Sequence, residues 1–131
     1  MKTKIIRQSV NFKASPHGVY EALMSSKKHS EFTGSKAIIS RKVGGKFKAY
    51  DGGLSGTNIQ LVKDKKIVQS WHCKMNGWPK DHYSKVIFKF SKAKNGTLLT
   101  FVHSGVPAVC YASIKNGWTD FYWKQMKKML G

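Results

Sequence analysis

The sequence predicts an α+β fold: a curved antiparallel β-sheet with one face covered by a long C-terminal α-helix, and one or two short helices after the first strand. Three observations predict it. Apolar residues recur in near alternation through most of the chain from Lys36 to Ser104, as in half-buried strands. A capped helical segment interrupts this pattern only once, after the first strand. Beyond Pro107, Ile114, Trp118, Phe121, Tyr122, Gln125 and Met129 recur at three- and four-residue steps, the signature of one apolar helix face.

Each element has its own warrant. Residues 4–12 ("KIIRQSVNF") read as a strand. Ser15 is an N-cap and Pro16 suits the first helical position, with Val19, Tyr20, Leu23 and Met24 following at helical spacing. "KHSEFTG" makes one further turn that ends at Gly34. "KAIISRKV" is a strand, closed by a Gly44-Gly45 turn. "KFKAYDGGLSGTNIQLV" is a hairpin through Asp51-Gly52-Gly53. A tight turn at residues 63–65 leads to "KKIVQSWHC". "YSKVIFKF" alternates, Lys94-Asn95-Gly96 turns, and "TLLTFVHS" is the last strand. An antiparallel sheet with one apolar face needs a cover, and the amphipathic last segment supplies it. Trp118, Phe121 and Tyr122 plug the sheet. Trp123 falls off the centre of that face and is expected at its edge, partly exposed. Asn116, Asp120, Lys124, Lys127 and Lys128 face solvent.

Composition bounds the function. The 131 residues are 40% hydrophobic and 12% aromatic, enough for a real core, and read as a single domain over 1–131. The formal net charge is +18, which favours acidic partners. The cations are nearly all lysines. Only Arg7 and Arg41 offer the planar fork that base readers and phosphate clamps use. Alternation also sends the lysines and aromatics of "FKAY" and "VIFKF" to opposite faces, so they form no stacking platform, and no specific nucleic-acid binding is expected. Cys73 and Cys110 lie far apart and are expected as reduced thiols in an intracellular, cytoplasmic protein. No stretch is long and apolar enough to span a bilayer, and no signal peptide is visible. A monomer without membrane insertion is expected.

The ordered set "ASPHGVYEAL", "FTG", "GGKF", "YDGGLSGTNIQL", "KKIVQSWHCKMNGWPKDHYSKVIFKF", "NGTLLTFVHSGVP" and "GWTDFYW" resembles the activator of Hsp90 ATPase homologue family, in its C-terminal-type domain. That family belongs to the START-related, birch-pollen-allergen-like (SRPBCC) superfamily. The resemblance runs from about Ile5 to Leu130. It implies a helix-grip fold with a cavity between sheet and helix. It also implies a stand-alone co-chaperone-like domain that binds an Hsp90-type chaperone and modulates its ATPase. In the full-length co-chaperone a separate N-terminal domain does much of the binding, and this chain is expected to lack it. In the wider superfamily some members carry apolar ligands and a few are enzymes.

Two candidate sites follow. Alternation groups Phe47, Trp71, Cys73, Phe88, Phe101 and His103, which with Tyr111, Trp118 and Tyr122 could line a cavity for a small apolar ligand. The other reading of the same residues is a filled core. In the loop "CKMNGWPKDHYS", Met75, Trp78 and Tyr83 either close the cavity mouth, present a surface to a partner, or pack down as an anchored loop. Trp123, Lys124, Lys127 and Lys128 complete the partner-binding candidates. No catalytic residue is assigned. Asp81-His82 is no dyad by sequence adjacency alone, and no Ser/His/Asp order stands out. His72-Cys73 point to opposite faces of one strand, so no metal site is read there. The expectation is a non-enzyme without cofactor.

Overall fold

The computed structural model describes residues 1–131 and shows a helix-grip fold. The element order is β1 (Thr3–Phe12), α1 (Pro16–Met24), α2 (Ser26–Thr33), β2 (Ile38–Ile39), β3 (Lys46–Ala49), β4 (Leu54–Val62), β5 (Lys66–Cys73), β6 (Ser84–Ala93) and β7 (Gly96–Pro107). A continuous C-terminal helix then runs from Ala108 to Leu130. The seven strands form one antiparallel sheet in the order β1-β7-β6-β5-β4-β3-β2. All neighbours but one are successive in the chain. The exception is β1, which crosses to pair with β7, placing the first and last strands side by side.

Local chemistry sets the helix ends as the sequence indicates. The Ser15 hydroxyl accepts from the Gly18 amide, and Pro16 opens α1. Ser25 ends α1 and caps α2, accepting from the Lys28 amide. Gly34 closes α2 in the left-handed conformation that glycine adopts without a Cβ penalty. The segment after α1 is thus a full second helix, longer than the single turn read from sequence. The strand expected over residues 36–43 shrinks to Ile38–Ile39. The residues that follow turn away because buried Asn58 holds them: its side-chain amide donates to the carbonyls of Ser40 and Lys42 at 2.7 and 3.0 Å. Gln69 donates in turn to the Asn58 carbonyl oxygen at 3.0 Å. Gly56 fits beside this network because a Cβ there would lie 1.8 Å from the Ser70 carbonyl oxygen.

The core fills the space between the sheet's inner face and the helices. Phe88, Phe101, Trp71, Trp118 and Trp123 meet there with ring centroids 4.5–6.4 Å apart, the range of favourable aromatic pairs. The C-terminal helix corrects the sequence reading. It is not uniformly α-helical: Trp118–Trp123 form a π turn, in which the Lys124 amide reaches back five residues to the Thr119 carbonyl. One residue is effectively inserted. The buried set becomes Ile114, Trp118, Tyr122, Trp123 and Met126. Trp123, expected at the edge, is only 4% exposed, whereas Phe121, expected inside, is 58% exposed. Trp123 also donates its indole N–H to the Gln8 side-chain oxygen at 2.7 Å, fixing the helix to β1.

Candidate functional site: an apolar groove beside the C-terminal helix

The hollow in this fold is an open groove of about 490 Å³, within the range of small-molecule sites. It runs between the C-terminal helix and the end of the sheet where the β3–β4 turn meets β5. Trp71, Cys73 and Met75 form one wall, Ile114, Trp118, Phe121 and Tyr122 the other, and Tyr50 and Leu54 the rim. Lys74 is the one charged residue among those lining it.

Two irregular pieces of backbone meet at this rim. The π turn swings Phe121 out of the core and over the groove. Across from it, Tyr50 and Asp51 both hold positive φ, at 50° and 54°. Left-handed backbone is costly for side chains other than glycine and persists only where surroundings impose it. Here the Tyr50 hydroxyl donates to the Phe121 carbonyl at 3.3 Å, and the two rings pack edge to face at 6.0 Å. The rim of the sheet is thereby tied to the π turn of the helix.

Behind the groove every polar group is already engaged, and no buried side-chain nitrogen or oxygen lacks a partner. The Trp118 indole can only donate, so His103 accepts it on Nδ1 at 3.0 Å. The proton of His103 therefore sits on Nε2 and is donated to Ser84 Oγ at 2.8 Å, and Ser84 donates onward to the Trp71 carbonyl at 3.0 Å. This direction is the reverse of what a serine nucleophile needs, since the imidazole has no free acceptor for the hydroxyl proton. Burial lowers the His103 pKa to about 3. A second chain runs beside it. His29 donates from Nδ1 to the Leu23 carbonyl at 3.0 Å and accepts the Tyr122 hydroxyl on Nε2 at 2.8 Å. Burial lowers His29 to about 4 and raises the Tyr122 phenol. Burial also pushes the Cys73 thiol up to about 11, so at neutral pH it meets the groove as a neutral thiol. The groove thus offers mainly apolar surface, with Lys74 as its one charged lining residue.

The sequence-derived cavity set divides three ways. Trp71, Cys73, Trp118 and Tyr122 line the groove. Phe47 and Phe88 face a void of about 10 Å³ deeper in the core, too small for an organic ligand. Phe101 and His103 are packed core, and Tyr111 lies apart, under the ammonium groups of Lys4 and Lys115 at 5.0 and 5.8 Å. The partner-binding set divides as well. Met75 lines the groove, Tyr83 is exposed, and Lys124, Lys127 and Lys128 are exposed. Trp78 is buried, which removes it from the partner-binding candidates and agrees with the anchored-loop alternative: its indole donates to the His82 carbonyl at 2.8 Å, and its ring packs on Trp71. Trp123 is corrected likewise. Tyr50, Leu54, Ser113, Ile114, Gly117 and Phe121 were missed as groove residues. The sequence signal for Tyr50 and Leu54 was only that of a turn, whereas Ser113, Gly117 and Phe121 stand at i, i+4 and i+8 and share a helix face that the apolar pattern alone did not mark as open.

A curved sheet gripping a C-terminal helix, open at one end to an apolar groove, defines a helix-grip protein of the SRPBCC type. Residues 13–131 match the family model described as Activator of Hsp90 ATPase homolog 1-like protein, and the chain belongs to that family. It is 33% identical over 100 residues to Activator of 90 kDa heat shock protein ATPase homolog 2 of Mus musculus, covering 76% of this chain and 30% of the relative. It is 30% identical over 120 residues to homolog 1 of Homo sapiens, covering 92% of this chain and 35% of the relative. The chain therefore spans about a third of the length of these relatives. Among solved structures, an HSP90 activator from Plasmodium falciparum matches with a TM-score of 0.84 and 27% identity, covering 97% of this chain and 94% of that one. The solution structure of the Aha1 dimer from Colwellia psychrerythraea matches with a TM-score of 0.76 and 21% identity, over 99% and 96% of the two chains. No helix is long and apolar enough to cross a membrane.

Proposed function

We propose that this chain is a co-chaperone-like binding module that docks on an Hsp90-type chaperone and modulates its ATPase, without catalysing a reaction itself. The observation that carries this reading is family membership over residues 13–131, together with the end-to-end fit to an HSP90 activator. The chemistry is consistent with a binder. The net charge of +18 draws the molecule toward acidic surfaces, and the polar core is committed to holding the fold. The test is an amide NMR titration of labelled protein with Hsp90 at low and moderate salt, paired with the chaperone's ATPase rate. Shifts confined to one patch that survive moderate salt, with a changed rate, support the reading. Shifts that vanish with salt, with an unchanged rate, remove it, because non-specific attraction is screened over about a Debye length.

One observation favours a second reading, a carrier of a small apolar ligand: the groove itself, apolar on nearly every side with Lys74 at its edge. An apolar molecule with an acidic end suits it. Native mass spectrometry of the purified protein checks this. A co-purified mass lost in Trp71→Ala would support the groove as its seat, and a bare protein that binds no added fatty acid would count against it.

A further inference from the structure

The face of the sheet turned away from the helices has its own organisation. None of the seven strands contains an aspartate or glutamate; all six carboxylates lie in helices, turns and loops. Several are already occupied there: Glu21 pairs with Arg41, Asp64 with His17, and Asp120 with Lys124. The register aligns Arg7 with Val102, Val102 with Ile87, and Ile87 with Val68, which makes one row across β1, β7, β6 and β5. Side chains two positions away along a strand share its face. Lys89 and Lys66 therefore flank this row on one side, and Lys85 flanks it on the other. Lys66 stands directly opposite Lys89, a like-charge pair that costs stability when nothing neutralises it. Val68 is buried although it lies outside the main core cluster, so the apolar surface left open on this row is that of half-buried Ile87 and Val102.

We infer that this outer face is a docking surface for an acidic amphipathic helix of a protein partner. Ile87 and Val102 take the helix's apolar stripe, and the lysines on either side, with Arg7 at the end of the row, take the carboxylates that flank it. The unneutralised Lys66–Lys89 pair is what such a partner relieves. The row bears no aromatic on which bases would stack, which favours an acidic helix over single-stranded nucleic acid. The inference rests on the co-chaperone reading only for the origin of that helix.

The test uses the full chain and a short synthetic helical peptide with leucines on one face and glutamates on both flanks. An oligothymidylate and vesicles of phosphatidylcholine with phosphatidylglycerol serve as competitors. The peptide is expected to shift the amides of Val68, Ile87 and Val102 at moderate salt. Lys85→Glu with Lys89→Glu should weaken it on the order of tenfold or more through like-charge repulsion, with the melting temperature held or raised. Lys66→Glu should weaken it too, while leaving the melting temperature unchanged or higher, because an attractive pair replaces a repulsive one. A footprint elsewhere, unweakened variants, or tighter binding of the oligonucleotide or vesicles to this face would overturn the inference. A titration with Hsp90 separates the two proposals. Peptide on this face with no Hsp90 binding sinks the co-chaperone reading alone. Hsp90 bound elsewhere, with the peptide also off the face, sinks this inference alone.

Discussion

The C-terminal helix has a sealed side and an open side, and two of its aromatics show how different they are. Trp123 is packed against Phe88, Phe101 and Trp118 and hydrogen-bonded to Gln8. Phe121, two residues earlier, lies over the groove with its ring against Tyr50. Residue type does not decide between them, since both are large and apolar. The π turn does. By adding one residue to the turn it brings Trp123 under the sheet and carries Phe121 out. The lesson is that a local helix irregularity can move an aromatic from core to site without altering the residues around it.

The comparison can be broken by mutation. The largest loss is expected for Trp118→Ala, about 3–5 kcal/mol by urea denaturation, because it removes a buried indole and leaves His103 Nδ1 without its donor. Trp123→Ala should approach that loss, since it also empties a core site and frees Gln8; a cost below about 1 kcal/mol would show that this residue is not sealed in solution.

Next comes the pH dependence. His29 and His103 stay neutral in the fold down to about pH 4 and about pH 3, whereas the unfolded chain takes up those protons near pH 6.5. Their depressed values contribute stability that is fully present above about pH 6.5 and lost as pH falls toward the folded values. Each should cost about 1.4 kcal/mol per pH unit, both between about pH 6.5 and 4, and His103 alone below that. His29→Gln keeps a donor and an acceptor and should flatten the slope by about half; an unchanged slope would mean that His29 is not buried neutral.

Two smaller effects sharpen the contrast. Phe121→Ala should change stability by less than about 0.5 kcal/mol and act only on what the groove binds. Deleting Thr119 should restore α-helical spacing, because Trp118, Tyr122, Trp123 and Met126 then fall at i, i+3, i+4 and i+7. The fold should survive, as read by near-ultraviolet circular dichroism, while Phe121 leaves the rim and apolar dyes lose the groove. A deletion that unfolds the protein would assign the π turn to stability and not to the site.

Much of the architecture was legible. Strand alternation at Phe47, Val86, Phe88, Phe90, Leu99 and Phe101, the Ser15-Pro16 start and the Gly34 stop are local rules, and local rules survive folding. The groove was only half legible. Trp71 and Cys73 followed from alternation, but Phe121 and Trp123 depend on a π turn that no 3.6-residue period reveals. Tyr50 depends on a backbone strain that only the opposing helix explains. The Ser84–His103–Trp118 chain joins residues from three elements, and nothing in their sequence spacing announces it.

The crossing of β1 to β7 sets a clock on synthesis. Phe12 leaves the ribosome long before Thr97, its partner, has been made. At about 5–20 residues per second, the first strand waits several seconds with its ladder amides unpaired and Ile6, Val10 and Phe12 uncovered. A product stopped at the β6–β7 turn would keep that strand permanently unmatched, an edge for other nascent chains to join. Gly131 then closes the ring, its carbonyl accepting the Lys13 amide at 2.9 Å just past the end of β1. The end of the long helix thus secures a strand made well before it.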